Sequence, residues 1–315
     1  VNSDLFKNIK HLLNEEMPFF LIRKKDDLTI TLLHQNDQSL YKVVHDKMTC
    51  ASFSEFKNID NQFFIYGEGN LRFTYLSGDV DRLKSDKNLL VVDSVERDKH
   101  VSLVNNALRT IHDSDLKKVV LSRKHKIQGD FDTITIIENL LNTYLGANCY
   151  FWSHPKIGQW CGATPEVLLN ISGNMLHTMS LAGTMKKPEK GDVVWGDKER
   201  EEQQIVTDSI VHDLKTVGIH SLKQGGQETV IAGELLHLQT SLQANITTRK
   251  AYDYLKVLHP TPAVCGLPKK TAMKFITDNE GYERSFYTGY LGLIEPEAEE
   301  YFVNLRCMQI IKDGV

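Results

Sequence analysis

The sequence is short of three things, and each shortage closes off a class of function. No run of about 18 apolar residues occurs, so no segment reads as a membrane span. Cysteines are few and unpaired in pattern: Cys50, Cys149, Cys161, Cys265 and Cys307 are odd in number and widely spaced, with no CxxC. That usage argues against a disulfide framework or a zinc knuckle and for free thiols in a reducing cytoplasm. An excess of basic residues is also missing. Lys plus Arg is 37 and Asp plus Glu is 41, a net charge of −4, so a general basic surface for nucleic acid is not expected. The start of the chain, with Asp4, Lys7 and Lys10 among its apolar residues, does not read as a signal peptide.

What is present is enough for a folded protein. Of 315 residues, 41% are hydrophobic and 25% charged, which excludes a disordered chain. Residues 1–95 are the least readable part. Phe19-Phe20-Leu21-Ile22 and Leu28-Thr29-Ile30-Thr31-Leu32 read as strands, and Gly67-Glu68-Gly69-Asn70 as a turn. Beyond Val95 the pattern changes. Val101, Val104, Leu108 and Ile111 recur at helical spacing, and Lys118-Val119-Val120-Leu121 follows as a strand. Asp132 can cap a helix carrying Ile136, Ile137, Leu140 and Leu141 and closed by Gly146. Strands are expected over 149–153, 159–162, 167–171 and 175–181, with Ser172-Gly173-Asn174 as a tight turn. A long helix is expected over 198–217, with Gly218 at its C-terminal cap. Thr229-Val230-Ile231 reads as a strand, and 286–294 and 301–310 as the arms of a hairpin. Blocks of strands separated by helices point to an α+β fold.

Several residues could carry chemistry, each with a plain structural alternative. Lys118 opens an apolar strand and could be a functional amine or a solvated strand-end lysine beside Lys117. Glu166 follows Cys161-Gly162-Ala163-Thr164-Pro165, where small residues and a proline can turn the chain and present one carboxylate. Ser180-Leu181-Ala182-Gly183-Thr184 ends a strand with small residues, which lets a ligand approach the backbone or simply ends the strand. Glu199 and Glu202 are three apart near a helix start, so they share one face. Two such carboxylates suit Mg²⁺, but acidic residues are favoured there by the helix dipole anyway. Residues 258–268 hold three of the eight prolines, a composition that locks a loop into one shape, and His259 within it reads best as a loop-locking hydrogen-bond partner. Tyr287-Thr288-Gly289 on one hairpin arm and Arg306 on the other could clamp an anion.

The order and spacing of these motifs say more than any one of them. Lys118-Val119-Val120-Leu121-Ser122-Arg123, Gly162 to Glu166, Leu181 to Thr184, Lys198 to Glu202, His259 to Pro268, Tyr287 to Gly289 and Val303 to Arg306 together resemble the chorismate-utilising enzymes. These include isochorismate synthase, salicylate synthase, anthranilate synthase component I and aminodeoxychorismate synthase component I. The resemblance runs from about Lys118 to Cys307 and is nearest to isochorismate synthase, of the menaquinone or siderophore type. Ala182 stands where aminodeoxychorismate synthases commonly carry a nucleophilic lysine, and His259-Pro260-Thr261-Pro262-Ala263-Val264 is the loop of the isochorismate synthases.

The resemblance implies a chorismate-binding fold of the aminodeoxychorismate synthase type, with large, mainly antiparallel sheets flanked by helices. It also implies one domain, with 1–95 as its N-terminal part and 96–315 as the catalytic core. The implied reaction is Mg²⁺-dependent conversion of chorismate to isochorismate: Lys118 activates water and Glu166 protonates the leaving hydroxyl. By resemblance Glu202 binds Mg²⁺ directly and Glu199 assists, while Ala182, Gly183, Thr184, Tyr287, Gly289 and Arg306 hold the substrate. No amidotransferase subunit is expected, and a monomer is. The family continues past the Arg306 strand into a Gly-rich segment and a Glu-x-x-Glu pair, which the sequence to Val315 does not contain. Either the chain is incomplete at its C-terminus or it is a metal-deficient relative, so a catalytically inactive chorismate-binding protein is one alternative; salicylate synthase, which goes on to eliminate pyruvate from isochorismate, is the other.

Overall fold

A computed structural model describes residues 2–42, 48–75, 94–188, 193–233, 235–248 and 250–315; parts of the 1–95 stretch, 43–47 and 76–93 among them, lie outside the described residues. The chain opens with α1 (Asn2–Asn14), β1 (Phe19–Arg23), β2 (Thr29–His34), β3 (Cys50–Ser54), β4 (Gln62–Tyr66) and β5 (Gly69–Thr74). It continues through α2 (Ser94–Asp113), β6 (Lys118–Val119), α3 (Thr133–Thr143), β7 (Asn148–His154), β8 (Gly158–Thr164), β9 (Val167–Ser172) and β10 (Met175–Lys186). The last part is α4 (Asp197–Thr216), β11 (Lys223–Ala232), β12 (Leu235–Asn245), α5 (Ala251–Leu258), β13 (Gly266–Leu267), α6 (Lys269–Asn279), β14 (Tyr290–Ile294), β15 (Ala298–Val303) and β16 (Cys307–Ile310).

Two antiparallel sheets face each other, and helices cover their outer sides, so the α+β expectation holds. One sheet runs β16-β8-β7-β1-β2-β5 and the other β11-β12-β10-β9-β15-β14-β3-β4. Alternation along the strands builds the layers. In β1, Phe20 and Ile22 point to the space between the sheets, while Phe19 and Leu21 point outward to α1 and α3. In β14, Leu291 and Leu293 enter that same space, and Tyr290 and Ile294 join the layer under α4 and α5. Strands buried on both faces need apolar residues at nearly every position, which is why β1 reads as a continuous run. Aromatic rings fill the middle: Phe53 and Phe286 stack at 4.3 Å between centroids, with Trp152 and Trp160 against Phe53. Strands from the first 75 residues interleave with later ones, β1 beside β7 and β3 beside β14.

Several elements differ from the sequence reading. The strand expected over 118–121 is only the two residues of β6, because the residues that would face 120 and 121 lie in a turn, where Val264 N and Cys265 N donate to the Thr261 carbonyl at 3.1 and 3.0 Å. β10 does not end at Leu181 but runs through Ala182-Gly183-Thr184 to Lys186, with a bulge between Ala182 and Thr184. Gly183 takes φ +73 there, a conformation that favours glycine. The arm expected over 301–310 breaks at 304–306. β15 pairs with β14, whereas β16 crosses to the other sheet beside β8, with Arg306 at φ 49 in the crossing. Tyr287, Thr288 and Gly289 lie in the turn before β14, not on it. α3 closes at Tyr144 rather than Gly146, although Asp132 does cap its start, accepting from Thr135 N at 2.8 Å. The apolar stripe read along α2 is largely exposed: Val101, Val104 and Leu108 face outward, and Ala107 is its buried residue.

Candidate active site

Lys118 and Glu166 sit in an enclosed part of the molecule that the proline-rich loop helps to wall in. β13 belongs to that loop and pairs Leu267 with Lys118. Lys117 N and Val120 N donate to the Leu267 and Cys265 carbonyls at 2.7 and 2.8 Å, which extends the pairing on both sides of Lys118. The Lys118 side chain is 14% exposed, and its Nζ lies 2.9 Å from Glu202 Oε1 without the angles of a hydrogen bond. Glu166 follows Pro165 at the end of β8 and is 2% exposed. Its backbone is tied down on both sides: Val303 N donates to its carbonyl at 3.1 Å, and its own N–H donates to Thr164 Oγ1 at 3.3 Å. Thr261 Oγ1, from the proline-rich loop, donates to Glu166 Oε1 at 3.4 Å. Burial pushes the Glu166 carboxyl up to about 7, against the pull of the Thr261 hydroxyl and the Lys118 charge. His259 locks the loop: it is buried, its ring Nε2–H donates to the Phe56 carbonyl at 3.0 Å, and burial lowers it to about 4, so it stays neutral.

α4 delivers Glu202 to Lys118. A buried polar hub sets the rotation of this helix. Gln203, the next residue, is 1% exposed and donates from Nε2 to Ser180 Oγ and Thr240 Oγ1, both at 2.8 Å. Gln227 Nε2 donates to Gln203 Oε1 at 2.8 Å. With Gln203 held inward, Glu202 is turned toward Lys118. Glu199 turns back over the helix start, where a Cβ on Gly196 would meet its Oε2 at 2.8 Å. The bulge of β10 meets the same turn of helix: a Cβ on Gly183 would lie 3.1 Å from the Glu199 carbonyl. Gly183 therefore lets helix and strand close together.

A second, more open group forms around Arg306. Its Nη2 donates to His237 Nε2 at 2.7 Å and its Nη1 to the Ala232 carbonyl at 3.0 Å. Because His237 Nε2 accepts, Nδ1 carries the proton and donates to Thr184 Oγ1 at 3.0 Å, with the Gly183 carbonyl at 3.3 Å. Burial and the adjacent guanidinium hold His237 below its ordinary imidazole value, which keeps it neutral. The structure thus joins Gly183, Thr184 and Arg306 through His237, a residue the sequence reading missed. The signal was its place between Leu236 and Leu238, a polar side chain on the half-buried face of an alternating strand. Thr261 was missed too: a hydroxyl among prolines carries no local sign that it will face Glu166, 95 residues away in the chain.

Tyr287 and Gly289 occupy a different setting from Arg306. Tyr287 is half-buried under the Arg284 guanidinium, 5.6 Å from its ring centroid, and burial raises its hydroxyl to about 12. It lines a cavity of about 330 Å³ with Trp160, Arg284 and Cys307. Gly289 has a packing reason: a Cβ there would fall 2.0 Å from the Ser54 carbonyl. Ala182 is buried in the apolar layer under α4.

The sequence model of one protein family, described as chorismate binding enzyme, matches residues 33–315. The chain belongs to the chorismate-binding enzymes. Among curated relatives of this chorismate-binding chain, isochorismate synthase MenF of Haemophilus influenzae is 28% identical over 222 residues, covering 64% of this chain and 50% of the relative. The vibriobactin-specific isochorismate synthase of Vibrio cholerae is 26% identical over 234 residues, covering 70% and 59%. The chain thus spans about half the length of the curated relatives it matches. In fold it is similar to the menaquinone-specific isochorismate synthase of Escherichia coli, with TM-score 0.77 and 18% identity over 94% of this chain and 80% of that one. It is also similar to anthranilate synthase component I of Streptococcus pneumoniae, with TM-score 0.67 and 18% identity over 92% and 81%. Among the described residues no helix is long and apolar enough to cross a membrane, and no three His, Cys, Asp or Glu side chains converge as a ready metal cage.

Proposed function

We propose that the protein interconverts chorismate and isochorismate. In this reaction water adds at ring C2, the C4 hydroxyl leaves, and the ring double bonds shift. Lys118 takes a proton from the attacking water and Glu166 gives one to the departing hydroxyl, so the two residues end with exchanged protonation and reset through solvent. Each such group supplies roughly 10²- to 10⁴-fold. The observation that carries the reading is the buried Glu166 carboxyl, lifted to about 7, within range of the Lys118 charge. A carboxyl raised that far is still substantially protonated near neutrality, as an acid for a leaving hydroxyl must be.

Lys118 must be neutral to act as a base, and its Nζ lies 2.9 Å from Glu202 Oε1. Glu202 and Glu199 on one face of α4 fit the sparse carboxylate set that Mg²⁺ takes alongside water and a substrate carboxylate. When bound, Mg²⁺ would supply positive charge to orient and neutralise a ring carboxylate. Arg306, held by His237, offers a guanidinium for the second carboxylate, and the Gly183-Thr184 backbone lines the approach.

Incubation with chorismate, with and without Mg²⁺, followed by NMR identification of products, tests this. Isochorismate alone, formed only with Mg²⁺, is the expected result. Salicylate and pyruvate would make it a salicylate synthase, and unchanged chorismate would leave a binding protein without turnover.

A further inference from the structure

We infer that the buried Glu280–Arg284 pair is a positioning device that holds the Lys118 strand, the proline-rich loop and the Tyr287 turn in one fixed arrangement. This rests on reading Lys118 and Glu166 as base and acid. The two side chains are among the most enclosed charges described, 0% and 2% exposed. Arg284 grips Glu280 with two nitrogens: Nε donates to Oε2 at 2.8 Å, and Nη2 donates to Oε1. The remaining donors are spent on other segments. Nη2 donates to the Val120 carbonyl at 2.7 Å, two residues from Lys118. Nη1 donates to the Val264 carbonyl at 2.9 Å, three residues from Thr261, and to Thr288 Oγ1 at 3.2 Å. Glu280 Oε1 accepts from Ser122 N at 2.8 Å and Ser122 Oγ at 3.0 Å, on the far side of the Lys118 strand. The guanidinium lies between the Phe56 ring at 4.7 Å and the Tyr287 ring at 5.6 Å, and Phe56 carries the carbonyl that holds His259.

An ion pair this enclosed is a weak source of stability, because desolvation offsets most of its attraction. Its geometry suits another task. A planar guanidinium can serve several acceptors in fixed directions at once, which an ammonium cannot. The pair meets the three segments at the places where each lacks a regular partner. β6 is two residues long, the loop is proline-rich, and Ser285 and Thr288, on either side of Tyr287, have φ 51 and 59. None of these elements has a long ladder to place it. A displacement of about 1 Å at an acid or base can cost roughly 10²-fold in rate. Glu280 and Arg284 are therefore positioning residues for the Lys118 and Glu166 chemistry.

The test is Arg284→Lys, which keeps the charge beside Glu280 but cannot reach Val120, Val264 and Thr288 together. Two readouts are taken on the folded variant: hydrogen exchange at individual amides, and chorismate turnover. The expected result is exchange faster by about tenfold or more at the Lys117 and Val120 amides, with β10 and β12 unchanged. With it, kcat drops roughly 10²-fold while KM moves little. Wild-type exchange at Lys117 and Val120 would overturn the inference, and so would a uniform acceleration across all strands, which marks a merely structural role. Should Arg284→Lys fail to fold, Glu280→Gln, which can still accept from Ser122, is read in the same way. If the wild-type protein turns over no chorismate, the proposed activity falls, and the exchange pattern alone still decides the positioning role.

Discussion

Lys118 and Glu166 are walled in by a rigid loop, whereas Thr184, His237 and Arg306 meet at a more open edge on β10, β12 and the crossing to β16. The enclosed half works by desolvation: burial lifts Glu166 to about 7. The open half works by directed donors: Arg306 is aimed by a neutral histidine and a backbone carbonyl. Chemistry that needs shifted protonation states belongs in the first, and capture of a charged group from water in the second. The contrast predicts that changes in the enclosed half strike kcat and those in the open half strike KM.

The largest effects are expected from Lys118→Ala and Glu166→Gln. Each should lower kcat by roughly 10² to 10⁴-fold with the fold retained, as checked by steady-state kinetics and circular dichroism. Near-normal turnover in either variant removes that residue from the mechanism. Arg306→Lys should raise KM by about tenfold to a hundredfold with kcat little changed, since an ammonium lacks the guanidinium fork. An equal loss in kcat would erase the division between the halves. His237→Phe should do the same more mildly, roughly threefold to tenfold in KM, through an Arg306 that has lost its acceptor.

The pH response sharpens the same division. If Glu166 is the proposed acid it acts protonated, so kcat should fall as pH rises through about 7. Stability should move with it. The folded value is raised from 4.5 to about 7, so the native state binds the extra proton, and stability declines as pH rises from about 4.5 to about 7 and then levels off. For this fully buried group the loss is about 3 kcal/mol. Denaturant melts across pH should show the decline in the wild type and not in Glu166→Gln. The smallest functional effect is expected from Gly289→Ala. It should destabilise by roughly 1–3 kcal/mol through the clash with Ser54, yet leave KM of the folded fraction unchanged. A raised KM there would return Gly289 to the substrate.

Much of this was legible from residue pattern. Strands with apolar residues on both faces, the cap at Asp132, the helix face over 198–217 and the stiff 258–268 loop all follow from local chemistry. Local pattern failed where the partner lay far along the chain. The strand at Lys118 is short because the loop opposite it turns at 261–265, and the arm after Tyr301 breaks because its end pairs with β8 rather than β14. The stripe along α2 reads as a core face but is exposed, since amphipathic spacing does not say whether a neighbour will cover it. His237 and Thr261 went unread because a single polar residue, even one set between apolar neighbours as His237 is, does not name its partners until tertiary contact aims it.

By itself the sequence determined the α+β class, the absence of a membrane-spanning helix among the described residues and the order of motifs that marks a chorismate-binding enzyme. These depend on residue type and spacing, which are local and additive. Only the tertiary structure decided that Lys118 meets Glu202, that Glu166 is enclosed, and that Arg306 reaches Thr184 through His237. Proton affinity and donor direction depend on the solvent excluded and the charges brought near, and both are set by residues distant in the chain.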